Sequence, residues 1–291
     1  METFLQIGLN SFCSGLILSL VAIGFSYIFH VTKVFHLAHA SLYALSGLLT
    51  WSTFQISNSF IVSLFVSLFF CCLIIIAIEK LIYLPLCISK ANESISLISS
   101  MGIYVVIINL LAIFYGNENR IYDIESSSLS IGALIITLPQ QWQISFCIIT
   151  LLLSYIFLRK NNLNLDFRAI SDSEETAALL GININQKRLI SFLFGTILIV
   201  IASWLLSLEI GIEPNSGMHI ILTAAAISIF ITRLNILLLL VGSIVLSIVQ
   251  NGIEWHLNAQ WRDGLTFFLL LLVIIYRTEG LVNYKLRKDS L

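Results

Sequence analysis

Long apolar runs separated by short polar stretches make up most of the chain. Each run approaches the roughly 20 residues that a helix needs to cross the hydrocarbon of a bilayer. Because hydrocarbon offers no partner for backbone N–H and C=O groups, such runs are predicted to be helices. Three runs are weaker, because one contains two histidines and two are short. The pattern predicts eight or nine full spans among residues 4–29, 35–55, 59–78, 96–115, 141–158, 190–208, 218–232, 236–253 and 264–276.

The composition is that of a membrane protein. Hydrophobic residues make up 58% of the 291 residues and charged residues only 11%, and the mean hydropathy is +0.97. Soluble domains carry about 25% charged residues, so a water-soluble fold would lack polar cover. The chain is therefore predicted to be an all-α integral membrane protein, a polytopic helical bundle with a single transmembrane domain over residues 1–291. The lack of a basic face outside the loops argues against a soluble nucleic-acid-binding protein.

Basic residues are distributed very unevenly between the two sets of loops. If the N-terminus lies outside, the cytoplasmic loops hold thirteen of the 15 Lys and Arg residues, and the outer loops hold only Arg120 and Arg262. Since cytoplasmic loops are enriched in Lys and Arg, this predicts an outer N-terminus and a cytoplasmic C-terminus. The first ten residues contain no Lys or Arg, so the first run is predicted to be a retained span and not a cleaved signal peptide.

One cytoplasmic loop, at residues 159–189, contains a compact polar helix. Ser171 and Glu174 have the spacing of a capping box, in which each side chain satisfies a backbone N–H of the first turn. Acidic residues follow that start, where the helix dipole favours them, and Gly181 suits a left-handed stop. Two interpretations stay open: a surface helix that joins two spans, or a helix that docks into a cytoplasmic partner through its small and apolar residues. Those residues are Ala177, Ala178, Leu179, Leu180 and Ile182.

The stretch FRAISDSEETAALLGI, residues 167–182, resembles the cytoplasmic signature of ABC importer permeases of the branched-chain amino-acid type. Three other stretches agree in order and spacing over nearly the whole chain. Residues 15–47 are similar to the first two spans of the family, EKLIYLPL at 79–86 to its Glu-Arg-x-x-Tyr-Arg-Pro-Leu, and YRTEGL at 276–281 to its closing Arg-Pro-x-Gly-Leu. The chain is identified as resembling this family on these four motifs together.

The resemblance implies a function. It implies a permease subunit of the bacterial inner membrane that imports branched-chain or other amino acids, or urea and short amides, by alternating access. The loop would then form the coupling helix that docks in an ATPase. The family's partners would be two ATPase subunits, a second related permease and an extracytoplasmic solute-binding protein. The coupling residues would be Arg168, Ala169, Ser171, Glu174, Ala177, Ala178, Leu180 and Gly181.

No catalysis by this chain and no cofactor is expected. The sequence contains no Walker A glycine loop, so ATP must be hydrolysed on separate subunits. Its five cysteines show no CxxC or Cys/His spacing, which argues against a disulfide framework or a zinc site. His36 and His39 lie three residues apart on one helical face, but two histidines are too few for a metal site. A packing or gating role is expected for the pair, since His39 matches the signature histidine of the family.

Other polar residues within or beside the runs are candidates for the transport pathway. Asn109, Gln250 and Asn251 are predicted either to bond between helices or to line the pathway, with interhelical bonding favoured. Glu209 and Glu213 lie at the predicted outer mouth, as contacts for the binding protein or as solvated loop charges.

Two alternative functions stay open at this stage. A secondary transporter or channel is one, although no Asp or Glu lies centrally in any predicted span, as ion coupling usually requires. A diverged scaffold that no longer transports is the other. It rests on the loss of the family's glycine-rich run, of which residues 227–243 keep only Gly242, and on Thr278 in place of the closing proline.

Overall fold

The structure is a computed structural model of the chain. It describes residues 2–89, 91–123, 127–132, 134–160, 162–231 and 233–257, together with 261, 264–268, 271–272 and 275. The elements in chain order are α1 (Glu2–Thr32), α2 (Ala38–Ser57), α3 (Phe60–Ile78), a π-helical turn (Glu79–Tyr83), α4 (Leu84–Ile88), α5 (Glu93–Tyr115), β1 (Ser128–Ile131), β2 (Leu134–Thr137), α6 (Leu138–Lys160), α7 (Leu163–Asp172), α8 (Glu174–Leu179), α9 (Ile184–Ile210), α10 (Ser216–Phe230) and α11 (Ile236–His256).

The first eight predicted runs each coincide with one long helix: α1, α2, α3, α5, α6, α9, α10 and α11. The ninth run, 264–276, lies partly outside the described residues. Within the described part of the chain, six helices are long and apolar enough to cross a membrane. They are Thr3–Thr32, Phe60–Ile88, Ser94–Tyr115, Leu138–Lys160, Ile184–Ile210 and Ile236–His256. The helical membrane bundle is thus confirmed, while the count of eight or nine spans stays a prediction.

The prediction of an all-α chain was wrong in the loop between α5 and α6. Strands β1 and β2 form an antiparallel hairpin, in which Leu129 pairs with Ile136 and Ser130 with Ile135. The backbone of Ile135 is fixed to α1, because the side-chain amide of Gln6 both donates to its carbonyl and accepts from its N–H, each at 3.0 Å. The β-branched residues of β2 favour this extended conformation, but they also continue the apolar run of α6.

Helix α1 lies at the centre of the bundle. In its most apolar stretch 83% of the residues are buried, compared with 17–28% in α3, α5, α6 and α11, which expose large apolar side chains on the outside. Helix α1 crosses α9 closely where Gly24 meets Gly195. A Cβ on Gly195 would lie 2.9 Å from the Gly24 carbonyl oxygen. Small residues at such a crossing let two membrane helices approach and gain van der Waals contact.

The two ends of the bundle are distinct. The β-hairpin lies at the first turns of α1, through Gln6. Helix α7 lies at the opposite end of α1, where the Lys33 ammonium donates to the Ser171 carbonyl at 2.8 Å. The N-terminal end of α1 and the loop at 159–189 are therefore on opposite sides of the bundle, as the predicted orientation requires.

Helices α2 and α10 begin inside the bundle and not at its ends. His36, just before α2, packs on Phe192 with ring centroids 5.2 Å apart, about 12 Å along the roughly 40 Å length of α9. Gly217, at the start of α10, packs directly on the backbone of Ala40. The N-termini of the two helices therefore meet near mid-depth. Non-helical residues 33–37 lead into α2 from one end of the bundle, and residues 211–215 lead into α10 from the other.

Helix α10 alone is too short to cross a bilayer. Its 15 residues rise about 22 Å, while the hydrocarbon is roughly 30 Å thick. The non-helical chain before it is held by protein, since Ile212 exchanges two backbone hydrogen bonds of 2.9 Å with Arg120. Irregular backbone at membrane depth is tolerated where protein satisfies it or where it lines a cavity. The predicted run 218–232 is thus one part of a broken segment.

We predict that Gly217→Ala loosens the junction of α2 and α10. The added Cβ would collide with the Ala40 carbonyl oxygen and lie 2.8 Å from its carbonyl carbon, so the helices must separate. Such overpacking costs about 1–3 kcal/mol. The midpoint of thermal unfolding of the purified protein in detergent, followed by tryptophan fluorescence, should fall. The matched control is Gly102→Ala in α5, where nothing lies within 4 Å of the new Cβ. Equal midpoints for the two variants would contradict the close contact.

Candidate coupling surface and polar sites within the bundle

Helix α7 is amphipathic and lies against the end of the bundle. Leu163, Phe167 and Ile170 are buried at helical spacing, and the Phe167 ring packs edge-on against Tyr27 of α1, with centroids 5.7 Å apart. Its polar side faces away from the core. This explains why a polar loop between two spans folds as a surface helix with a fixed orientation.

Hydrogen bonds tie α7 to α1 at two points. The Tyr27 hydroxyl donates to Asn164 Oδ1 at 3.0 Å, and the Lys33 ammonium donates to the Ser171 carbonyl at 2.8 Å. Since Tyr27 and Lys33 lie almost two turns apart, the contacts hold both ends of α7. A displacement of α7 must therefore move the end of α1 with it.

Two further contacts tie α7 to other spans. The Arg168 guanidinium donates to the carbonyl of Leu234, just before α11, from Nε at 3.2 Å and Nη2 at 2.8 Å. The Lys187 ammonium, at the start of α9, forms a salt bridge of 2.5 Å with Asp166. Helix α7 thus joins α1, α9 and the entry to α11.

The predicted capping box was placed two residues too early. Ser171 lies in the last turn of α7, and the chain breaks at Ser173, whose φ of −157° and ψ of 112° are extended. The Ser173 hydroxyl accepts from the backbone N–H of Thr176 at 3.2 Å, so Ser173 caps α8. Glu174 is the first residue of α8, in the first turn that the helix dipole favours for acids. Sequence spacing alone could not distinguish one helix from two.

The predicted stop at Gly181 is confirmed. Gly181 has φ +82°, its N–H donates to the Ala178 carbonyl at 3.0 Å, and the Ile182 N–H donates to the Ala177 carbonyl at 3.1 Å. This is a Schellman motif, which satisfies the last carbonyls of a helix. A side chain at residue 181 would strain the turn, so glycine here fixes where α8 ends.

The exposed face of α8 differs from the one predicted. Ala177 is buried, at 1% exposure, and packs into the bundle. Its burial turns Ala178 outward, together with Leu179 at 89% exposure and Leu180 at 72%. Ala169 is half-buried on α7. Two adjacent leucines on a polar helix at the end of the bundle are therefore its exposed apolar residues, and Ala177 is a packing residue.

The motif EKLIYLPL has a structural role that the sequence did not reveal. Glu79 and Arg188 form a buried ion pair between α3 and α9, with Nε and Oε1 3.4 Å apart. Tyr83 stacks on Phe192 at 5.4 Å, and its hydroxyl lies 2.8 Å from His36 Nδ1. The sequence did contain a signal for this ion pair: Glu79 is a lone glutamate at the end of an apolar run, where a charge needs a partner.

The two histidines lie together at the start of α2: His36 just before the helix and His39 in its first turn. Both are fully buried, and their rings are 5.2 Å apart. His36 bonds Tyr83, and His39 faces the backbone of Gly195. Within the described residues, no group of three or more His, Cys, Asp or Glu side chains could hold a metal ion. The pair thus lies at the α2–α9 contact.

The uncharged polar candidates divide into two kinds. Gln250 donates to the Thr266 hydroxyl at 2.7 Å, and Asn251 donates to the Ser11 hydroxyl at 3.1 Å, so both bond between separate segments. Asn109 instead donates to the Val105 carbonyl of its own helix at 2.7 Å and is exposed on α5. The favoured interhelical role therefore fits the first two residues and is wrong for Asn109.

The two glutamates of the predicted outer mouth, Glu209 and Glu213, have different surroundings. The Glu209 carboxylate accepts from Gln143 at 2.7 Å and from Gln140 at 3.3 Å, so its oxygens are engaged between α6 and α9. Glu213 lies in the non-helical segment before α10 and is exposed, as is Asn215. Glu213 and Asn215 thus lie in the non-helical segment that leads into α10.

A protein-family model described as "Branched-chain amino acid transport system / permease component" matches residues 7–274. The chain belongs to this permease family. It is a multi-pass permease subunit of an ABC importer, of the bacterial inner-membrane kind. This membership rests on a match to nearly the whole chain.

Named relatives of this permease match over its whole length. It is 25% identical to the high-affinity branched-chain amino acid transport system permease protein LivH of Salmonella typhimurium and 24% identical to LivH of Escherichia coli K12. It is 22% identical to BraD of Pseudomonas aeruginosa, described in the same words. Each match covers 96% of both chains.

One solved structure supports the fold. The permease resembles a chain of PsaBC from Streptococcus pneumoniae in complex with Fab, with a TM-score of 0.52 and 15% identity. The match covers 93% of this permease and 90% of that chain. The closing motif at 276–281, including Thr278, lies outside the described residues.

We predict that removing one member of the Glu79–Arg188 pair destabilises the protein more than removing both. Arg188→Leu leaves the Glu79 carboxylate buried without its partner, and loss of one partner of a buried pair typically costs about 3–5 kcal/mol. The double variant Arg188→Leu/Glu79→Leu removes both charges and should regain most of the thermal midpoint. The measurement is a double-mutant cycle of unfolding midpoints in detergent. Additive losses in the double variant would mean that the two side chains do not interact.

Proposed function

We propose that this permease moves branched-chain or other amino acids, or urea and short amides, into the cell by alternating access. Two cytoplasmic ATPases drive the movement by binding α8. The observation that carries the proposal is the pair of exposed leucines, Leu179 and Leu180, on a helix that is capped at both ends and anchored through α7 to the bundle. An apolar face of this kind, in contact with water, marks an interaction site.

The proposed assembly has five subunits. Two permeases, this one and a related second chain, carry the pathway, two ATPases supply the energy, and an extracytoplasmic binding protein delivers the substrate. The sequence has no phosphate-binding glycine loop, so a nucleotide must bind elsewhere. The relatives' names describe a transport system of which each is the permease, which supports separate partner subunits.

The proposed topology places the N-terminus outside, the C-terminus in the cytoplasm, and eight or nine segments in the membrane. Two observations support it. Thirteen of the 15 basic residues then lie in cytoplasmic loops. The β-hairpin and α7 lie at opposite ends of α1, which the alternation of loops requires.

The proposed path of force runs from α8 through α7 to α1. Helix α7 is bonded to α1 at Tyr27 and Lys33, and α1 contacts α9, α10 and α11 along its length. Motion of α8 therefore reaches the junction where α2 and α10 meet. Two discrete packings of that junction, with different affinity for the ATPase states, are the minimum that alternating access needs.

We place the outer part of the pathway along residues 213–215. Glu213 and Asn215 are exposed polar groups on a broken segment, the feature that forms substrate sites in other transporters. His36 and His39 are fully buried, so we assign them to the packing of the junction and not to contact with substrate. Glu209 is engaged by glutamines, which leaves Glu213 as the freer outer carboxylate.

The test of the coupling face is ATP-driven uptake in liposomes. The permease and its partner subunits are reconstituted, and the accumulation of leucine, isoleucine, valine and urea is followed. Leu180→Asp should abolish uptake and release the ATPases, because it buries a charge in the docking contact. The matched control is Ile88→Asp on α4, since Ile88 is equally exposed, at 72%.

The outcomes separate the competing functions. Uptake that requires ATP and is lost only in Leu180→Asp supports the importer and identifies the substrate class. Uptake that is indifferent to ATP and to Leu180→Asp would favour a secondary transporter. Bound ATPases without uptake of any tested solute would favour a scaffold.

We predict that Glu213→Gln weakens transport without affecting assembly. Loss of one charge-assisted contact should raise the KM for an amino acid by about tenfold, measured with saturating binding protein. Glu118→Gln is the control, since Glu118 is likewise an exposed glutamate. If Glu213→Gln changes only the affinity for the binding protein, the residue is a docking contact and the pathway assignment is wrong.

A further inference from the structure

A cavity opens at the α7 end of the bundle, between the end of α6 and the start of α11. Its volume is about 370 Å³, and residues of α1 and α7 also line it. Two arginines line it, Arg159 of α6 and Arg168 of α7, with the carboxamides of Asn162, Asn164 and Asn235 beside them. Neither the coupling face nor the junction of α2 and α10 includes this cavity.

The chemistry of the lining selects an anion. The residues that line the cavity include no Asp or Glu, and Asp166 of α7 is held by Lys187 in a salt bridge. Arg168 uses Nε and Nη2 on the Leu234 carbonyl, so its Nη1 group is left for another acceptor. Among the residues that the structure describes, Arg159 bonds only the Tyr155 hydroxyl, at a long 3.5 Å. Two guanidinium groups with donor capacity suit a phosphate, which they bind with charge-assisted hydrogen bonds.

The walls of the cavity are apolar and continue toward the bilayer. Leu158, Ile236 and Leu237 lie beside the arginines. Beyond them α6 exposes Leu152 and Ile156, and α11 exposes Leu238 and Val241. A free phosphate would use only the polar groups of the lining, whereas a phospholipid would use the arginines and the apolar surfaces together.

We propose that this cavity binds a phosphate group, supplied by an anionic phospholipid of the cytoplasmic leaflet. The acyl chains lie along the exposed faces of α6 and α11, and the headgroup reaches Arg159 and Arg168. Basic pockets between helices on the cytoplasmic side bind anionic lipid headgroups in this way. Because Arg168 also holds the entry to α11, the bound lipid braces α7 against α6 and α11.

The test measures retained lipid on the transporter purified with its partner subunits. Lipid-depleted protein receives dioleoyl phosphatidylglycerol or dioleoyl phosphatidylcholine, and bound lipid is counted by native mass spectrometry. Phosphatidylglycerol should be retained preferentially. Arg159→Gln should weaken its retention by about tenfold, and Arg159→Lys, which keeps the charge, should weaken it less.

The matched control is Lys160→Gln. Lys160 is the neighbouring exposed cation of α6 but does not line the cavity. Retention by Lys160→Gln equal to that of the unmodified protein supports a defined site. Equal losses in Lys160→Gln and Arg159→Gln would show attraction by surface charge alone and would overturn the site. The unfolding midpoint without lipid, measured for each variant, separates a lost site from a misfolded protein.

Two further arms distinguish the source of the phosphate. If inorganic phosphate stabilises the lipid-depleted protein and Arg159→Gln removes that effect, while phosphatidylglycerol is no better than phosphatidylcholine, the ligand is a free phosphate and the lipid is overturned. If the isolated permease retains phosphatidylglycerol and the assembled transporter does not, a partner subunit covers the cavity and the proposal fails for the working complex.

Discussion

The close crossing of α1 and α9 at Gly24 and Gly195 is the contact on which the rest of this permease depends. In a bilayer, water does not drive helices together, so their association relies on close packing and on bonds between polar groups. The two glycines bring α1 into the centre of the bundle, where it contacts α9, α10 and α11. Helix α1 therefore contacts the β-hairpin at one end of the molecule and reaches α7 at the other.

Each end of the bundle is built from polar contacts that suit its position. At one end, Gln6, Gln140 and Gln143 join the β-hairpin and α6 to α1 and α9. At the other, Lys33 and Arg168 hold α7 by bonding to backbone carbonyls. These carbonyl bonds fix the position of α7 relative to α1 and the entry to α11, while Leu179 and Leu180 stay exposed.

The long helices could be read from the sequence, because twenty consecutive apolar residues have few stable forms other than a membrane helix. The stop of α8 at Gly181 could also be read, since it depends on one residue and its own backbone. The cap was assigned to Ser171 although Ser173 forms it. Ser171 has the Ser-x-x-Glu spacing and Ser173 does not, while the break between α7 and α8 depends on how α7 packs. The hairpin was missed, because its apolar residues continue the run of α6.

The sequence by itself determined that this protein lies in a membrane, which loops carry its charge, and where a polar helix interrupts the spans. These properties follow from local composition and from the solvent that the composition requires. Only the tertiary structure decided that Ala177 faces inward and Leu180 outward, that Glu79 meets Arg188, and that α2 and α10 meet at mid-depth. Those facts depend on contacts between residues far apart in the chain, and an apolar sequence offers many equivalent partners for each helix until packing selects one.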